Sequence, residues 1–271
     1  MTDPSSSTDE APALFVADGD HFVPTHRSRG PWSPTSLHGG SVAALVTRGI
    51  EEHAGADELQ LVRVTVELLR PVPLAPLSVR CSLARPGRKV QLIDAVVEAG
   101  GVEVAWARAL RIRRSPDEQL AVPSVPEDDA PAPPGYGVLL STGVEGYRAL
   151  HNEGMELRFV KGRFGERGPA TAWFRLRYPV VLGEEPSPWQ RAVAAADFGN
   201  GVGAELDFGS SLFINPDLTV SIHRPPVGEW VCLSSRTRFG TPGIGATESE
   251  LWDEHGRIGR AVQNLLVELT T

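Results

Sequence analysis

TVSIHRP, Thr219–Pro225, repeats TVELLRP, Thr65–Pro71. The separation is 219 − 65 = 154 residues at the threonine and 224 − 70 = 154 at the arginine. Each stretch reads as a β-branched strand halted by Arg-Pro, because proline offers no amide to a sheet ladder. The segments downstream of the two stretches also correspond. Leu77–Ala84 and Trp230–Arg236 alternate as strands, Val90–Glu98 matches Gly245–Trp252, and Val102–Arg113 matches Ile258–Leu269. The turns between the last two strands are Gly100-Gly101 in one copy and Asp253–Gly256 in the other. A shared order of elements around the repeated motif indicates a duplicated domain.

Upstream of each repeated strand lies a helix. In the first copy, Val42, Leu45, Val46 and Ile50 fall on one helical face after His38-Gly39-Gly40. In the second, Ser187 caps, Pro188 suits the first helical position, and Gln190 completes a capping box. The segments Glu156–Lys161 and Thr171–Arg177 read as leading strands of the second copy. A helix followed by an antiparallel meander, present twice, is an α+β arrangement.

Residues 1–20, acidic and polar and without an apolar signal region, are expected to be a disordered tail. His21–Pro34, rich in Pro, Gly and Arg, reads as a segment with little regular structure. The repeats are then residues 21–115 and 136–271, joined by a stiff proline-rich linker at 116–135. Among the 271 residues, 26 Lys and Arg stand against 34 Asp and Glu, a net charge of −8. That balance argues against a nucleic-acid groove. No apolar run is long enough to span a membrane. Cys81 and Cys232 lie far apart with no C-x-x-C pairing, so a zinc or redox motif is absent and two reduced core thiols in a cytoplasmic protein are expected.

Within SPWQRAVAAADFGNGVG, Ser187–Gly203, one carboxylate, Asp197, sits among alanines and glycines. Burying it is costly unless it is hydrogen-bonded. It either ends the helix or acts as a chemical group, and the stretch alone leaves both readings open. His38-Gly39-Gly40 is similarly double. Its amides, at a helix start, suit an anion or polarised carbonyl, and its glycines suit close packing on a neighbour. No G-x-S-x-G elbow is present, and the glycines at 199–203 and 240–245 do not follow a strand and open a helix as a nucleotide fingerprint requires.

Further pieces carry a resemblance: Ala195-Ala196-Asp197-Phe198, Ile214-Asn215-Pro216-Asp217, His223-Arg224-Pro225, Glu229-Trp230 and Gly259-Arg260-Ala261-Val262-Gln263, with Gly39-Gly40 and Arg70-Pro71 in the first copy. Together they resemble the acyl-CoA thioesterase family of the bacterial thioesterase II type, over roughly residues 20–270. The resemblance implies a double hotdog, in which each central helix is wrapped by a curved antiparallel sheet. It implies hydrolysis of an acyl-CoA to free acid and CoA, with CoA as part of the substrate, no separate cofactor and no metal. Asp197 and Gln263 match the family's water-holding aspartate and glutamine. Asn215 falls where the family has Ser or Thr, so an amide replaces a hydroxyl. Thr219 is a nearby hydroxyl, but four strand residues place it about 13 Å away. His38, Gly39 and Gly40 are the expected substrate-binding group, by likeness to the H-G-G turn of single hotdog thioesterases. Arg70, Arg85, Arg88 and Arg224 are candidates for CoA phosphates or for structural charges. Two alternatives stand beside hydrolysis: a non-catalytic acyl-binding protein, and an enoyl-CoA hydratase, which is expected to need an Asp/His pair within one half. Further pairing into a homo-oligomer is left open.

Overall fold

The computed structural model describes residues 8–53, 58–115, 129–139, 147–207 and 209–269. In the first half, β1 (Phe15–Asp18) and β2 (His21–Pro24) precede α1 (Gly39–Glu52), then β3 (Leu59–Leu68), β4 (Leu77–Arg85), β5 (Val90–Ala99) and β6 (Val102–Arg113). The second half holds β7 (Val138–Leu139), β8 (Met155–Lys161), β9 (Ala170–Leu176), α2 (Pro188–Ala196) and the short α3 (Gly199–Val202). It closes with β10 (Ser211–Ile214), β11 (Asp217–Ile222), β12 (Val231–Phe239), β13 (Ile244–Asp253) and β14 (Gly256–Leu269).

The repeat read from Thr65 and Thr219 extends through the meander without a slip. β12 begins and ends 154 residues after β4 (231 − 77 and 239 − 85), and β13 does the same after β5 (244 − 90 and 253 − 99). All the strands form one sheet, ordered β1-β2-β4-β5-β6-β3-β11-β14-β13-β12-β9-β8-β7, with β10 also on β14. The halves join where β3 pairs antiparallel with β11, and the register sets Thr65 opposite Thr219. Twin residues facing each other on antiparallel strands define a local two-fold axis, so the duplication builds its own interface. The two threonine hydroxyls hydrogen-bond at 3.1 Å, which commits Thr219 to the seam.

The sheet wraps α1 and α2, and one apolar core runs through both halves. Val42, Leu45, Val46 and Ile50 of α1 are all buried, and so are Ala43 and Ala44 between them. Each Val, Leu or Ile so buried contributes about 1.5–3 kcal/mol. This is the double hotdog of the α+β class. None of the described helices is long and apolar enough to cross a membrane.

Three expectations change. Residues 8–20 are not a loose tail: Ala13, Leu14 and Phe15 have no exposed surface, and the Leu14 and Phe15 amides donate to Pro179 and Val180 at 2.9 Å. Residues 13–15 are thus part of the second half's wall, for the apolar run A-L-F-V inside the acidic segment needs burial. His21–Pro34 is not irregular throughout. It holds β2 and a 3-10 turn at His26–Ser28, whose Arg27 stacks over Tyr178 at 4.5 Å and pairs with Glu153 at 2.9 Å. Of the proline-rich linker, 116–128 lie outside the described residues, while Pro134–Tyr136 form a 3-10 turn.

Candidate active site

Ser187 caps α2, its hydroxyl accepting from the Gln190 amide at 3.1 Å. The expected capping box is only half made. The Gln190 side chain donates instead to Glu51 at the end of α1, 3.0 Å away, and the Ser187 hydroxyl reaches the same carboxylate at 2.7 Å. These bonds lock the two central helices side by side. They also come close at the other end of α1, where a Cβ on Gly40 would lie 2.6 Å from the Ala194 carbonyl and one on Gly39 would lie 2.7 Å from Asp197 Oδ2. The glycine pair therefore serves close packing, and what it brings close is the carboxylate.

Asp197 ends α2 and is 4 % exposed. Asn215, just after β10, donates to its Oδ1 at 2.8 Å, and His38 Nδ1 lies 2.8 Å from its Oδ2. A proton must sit between that nitrogen and oxygen, so Nδ1 is the donor. The Gly40 amide points at the same nitrogen, 3.0 Å away, and also supports the carboxylate. Burial pushes the Asp197 carboxyl up, but His38, Asn215 and the Gly40 amide favour the charged form and hold it below the ordinary aspartate range. The Asp197 carboxyl is thus an ionised, buried carboxylate at neutral pH.

Gln263, on β14, is brought to the same place from behind. Its amide donates to the Asp197 carbonyl at 3.1 Å and approaches Oδ1 at 3.4 Å, while its oxygen accepts from the Asn200 amide at 3.1 Å. It clasps the break between α2 and α3. It is not part of the cavity wall; it touches the site through Asp197.

In front of Asp197 opens a cavity of about 540 Å³. His38, Gly39, Asp197 and Asn215 are on its wall, among Leu37, Leu157, Phe159, Phe198, Val202 and Phe213 from both halves. Gly40 is not, which corrects its expected substrate contact: its amide points at His38 Nδ1. The His38 ring stacks on Phe198 with centroids 4.5 Å apart, which fixes its plane. Asn215 uses its amide nitrogen on Asp197 and, at 3.1 Å, on the Asp217 carbonyl, leaving its oxygen as the atom able to receive a water hydrogen. Of the four arginines, Arg70 reaches the wall, Arg85 and Arg88 are exposed around the β4–β5 turn, and Arg224 binds Asp253 at 2.5 Å.

Two features escaped the sequence. His38 and Asp197 form an Asp/His pair across the halves, where one within a half was sought. His151 also lines the cavity, on a single π-helical turn at Leu150–Gly154. Burial, with the nearby His38 charge, pushes its pKa down to about 4, so a neutral imidazole faces the cavity. An isolated π-turn leaves no periodicity to detect.

Two family models match the chain: the acyl-CoA thioesterase N-terminal domain over residues 28–112 and the C-terminal domain over residues 116–267. Among curated proteins none matches the sequence. Among solved structures, a conserved protein of unknown function with a hot dog fold from Alicyclobacillus acidocaldarius is 16% identical, with a TM-score of 0.71, covering 100% of this chain and 99% of its own. The tesB protein of Mycobacterium avium subs paratuberculosis is 15% identical, with 97% of each chain covered and a TM-score of 0.63. The acyl-CoA thioesterase II TesB2 of Mycobacterium marinum is 15% identical, with 98% of each covered and a TM-score of 0.62. At these identities the structures speak for the fold.

Proposed function

Because the chain belongs to the acyl-CoA thioesterase family, of the bacterial thioesterase II type, we propose that it hydrolyses an acyl-CoA to the free acid and CoA at Asp197. The observation that carries this reading is an ionised carboxylate, held by three donors, at the wall of an apolar cavity large enough for an acyl chain. Such pockets bind apolar ligands and orient them through a few polar groups. A water between Asp197 and the Asn215 oxygen is placed to attack the thioester carbon. Asp197 takes the proton as oxygen bonds to carbon. The C–S bond then breaks, and Asp197 returns the proton to the leaving sulfur. The Gly39 amide, at the start of α1, is the candidate donor to the developing oxyanion. Asparagine in place of a hydroxyl residue fits this scheme because the position's work is to hold the carboxylate and accept from water.

The test is hydrolysis across acyl-CoA chain lengths by wild type and Asp197→Asn. A loss of about 10²–10⁴-fold in kcat is expected for the variant. Unchanged hydrolysis would remove Asp197 from the mechanism, and binding of acyl-CoA without turnover by wild type would favour an acyl-binding protein. A second reading, hydration of an enoyl-CoA, draws support from the His38–Asp197 pair. Conversion of an enoyl-CoA at a rate exceeding hydrolysis of the saturated thioester would put hydration first.

A further inference from the structure

Arg70 and Arg224 are twins in the repeat, but the two copies use them differently. Arg224 donates to both Asp253 oxygens, at 2.5 and 2.7 Å, and to the Gly256 carbonyl at 3.1 Å. The buried Asp253 also accepts from the Val227 and His255 amides, at 2.9 and 2.8 Å. Subtracting the same 154 residues puts Ala99 at the place of Asp253 and Pro73, which has no N–H, at the place of Val227. The first copy has lost the carboxylate and a donor that positioned it, yet retains the arginine. Arg70 is exposed, pairs with no carboxylate among the described residues, and stands at the wall of the cavity beside Leu68, Pro71 and Val72.

The strand sets its position relative to Asp197. The Leu68 amide donates to the Pro216 carbonyl at 2.7 Å, adjacent to Asn215. Arg70 is two residues further on, at a bend just past β3 and at most about 7 Å away, and its long side chain adds to that reach. A phosphopantetheine arm, with two amide units between sulfur and phosphate, spans roughly the length of four extended residues, about 14 Å. A thioester at Asp197 would therefore carry its phosphate to the neighbourhood of Arg70.

We propose that Arg70 is the specificity contact for the phosphate at the end of a phosphopantetheine arm. The inference rests on the thioester reading above. A guanidinium is suited to it, since it stays charged and meets phosphate oxygens with paired donors. Both CoA and a carrier protein present that phosphate, and both are substrates in the test.

The experiment compares Arg70→Gln with wild type on one acyl group carried by CoA, by carrier protein and by pantetheine, which lacks the phosphate. KM for acyl-CoA and for the acyl carrier protein is expected to rise about tenfold, as for an exposed charge-assisted hydrogen bond, with kcat held. KM for S-acyl-pantetheine is expected to be unchanged. Arg70→Lys restores part of the loss, and added salt narrows the gap between wild type and variant. An equal change on S-acyl-pantetheine, or a rise confined to acyl-CoA, overturns the assignment. Titration of CoA alone gives an independent answer: an unchanged Kd in Arg70→Gln also overturns it. Failure of wild type to hydrolyse any thioester would sink the catalytic reading, while the CoA titration would still decide the role of Arg70.

Discussion

At the scale of single residues, Asp197 is governed by how many donors it keeps. Asn215→Ala removes the 2.8 Å bond to Oδ1, a partner of the charged form. The carboxyl pKa rises in that variant, so activity is lost at a higher pH than in wild type. The acid limb of kcat/KM against pH is the measurement, and an unmoved limb would show that the Asn215 bond does not tune the base. In the folding equilibrium the sign is the usual one for an acid whose folded pKa is depressed. Asp197 stabilises the fold above the unfolded aspartate pKa, and that contribution is lost as pH falls through the folded value. Arg224 governs stability instead. Arg224→Gln leaves the fully buried Asp253 carboxylate without its cation, a cost of about 2–3 kcal/mol read as a drop in Tm, the guanidinium being partly exposed. The meeting of Asp197, Asn215 and Gln263 was legible because each sits in a short motif whose neighbours identify it. The His38–Asp197 bond was not, since partners from different helices share no sequence spacing.

At the scale of elements, the site is made by two helix ends meeting closer than side chains ordinarily permit. Gly39→Ala would set a Cβ 2.7 Å from Asp197 Oδ2, and Gly199→Ala one 2.8 Å from Gln263 Oε1. Both variants are expected to fold and to lose kcat more than they raise KM, because they displace the carboxylate and its clasp while leaving the apolar wall. Steady-state kinetics on one acyl-CoA checks this, and intact kcat would mean the helices part without consequence. The meander strands were legible to within a residue or two at most ends, since alternation against a buried face has a period of two. The break between α2 and α3 was visible only as small residues. What fixes it is Gln263, arriving from the last strand.

At the scale of the whole molecule, neither half is finished alone. The cavity takes walls from both, β3 and β11 complete each other, and the first strand lies on the second half. Removing residues 1–18 deletes Leu14 and Phe15, each contributing about 1.5–3 kcal/mol of burial, so a clear fall in Tm is expected in thermal unfolding. An unchanged Tm would show that the strand is dispensable. The sequence hid this strand because four apolar residues in an acidic segment resemble a tail. The seam at Thr65 has a further consequence for a chain made on a ribosome from its N-terminus. The β3 edge, complete by Leu68, waits for Asp217 to emerge before it gains its partner, a delay of roughly 7–30 s at typical translation speeds. Through that interval an open, β-branched edge and the apolar Leu14-Phe15 pair face the cell, the kind of surface to which nascent-chain chaperones bind.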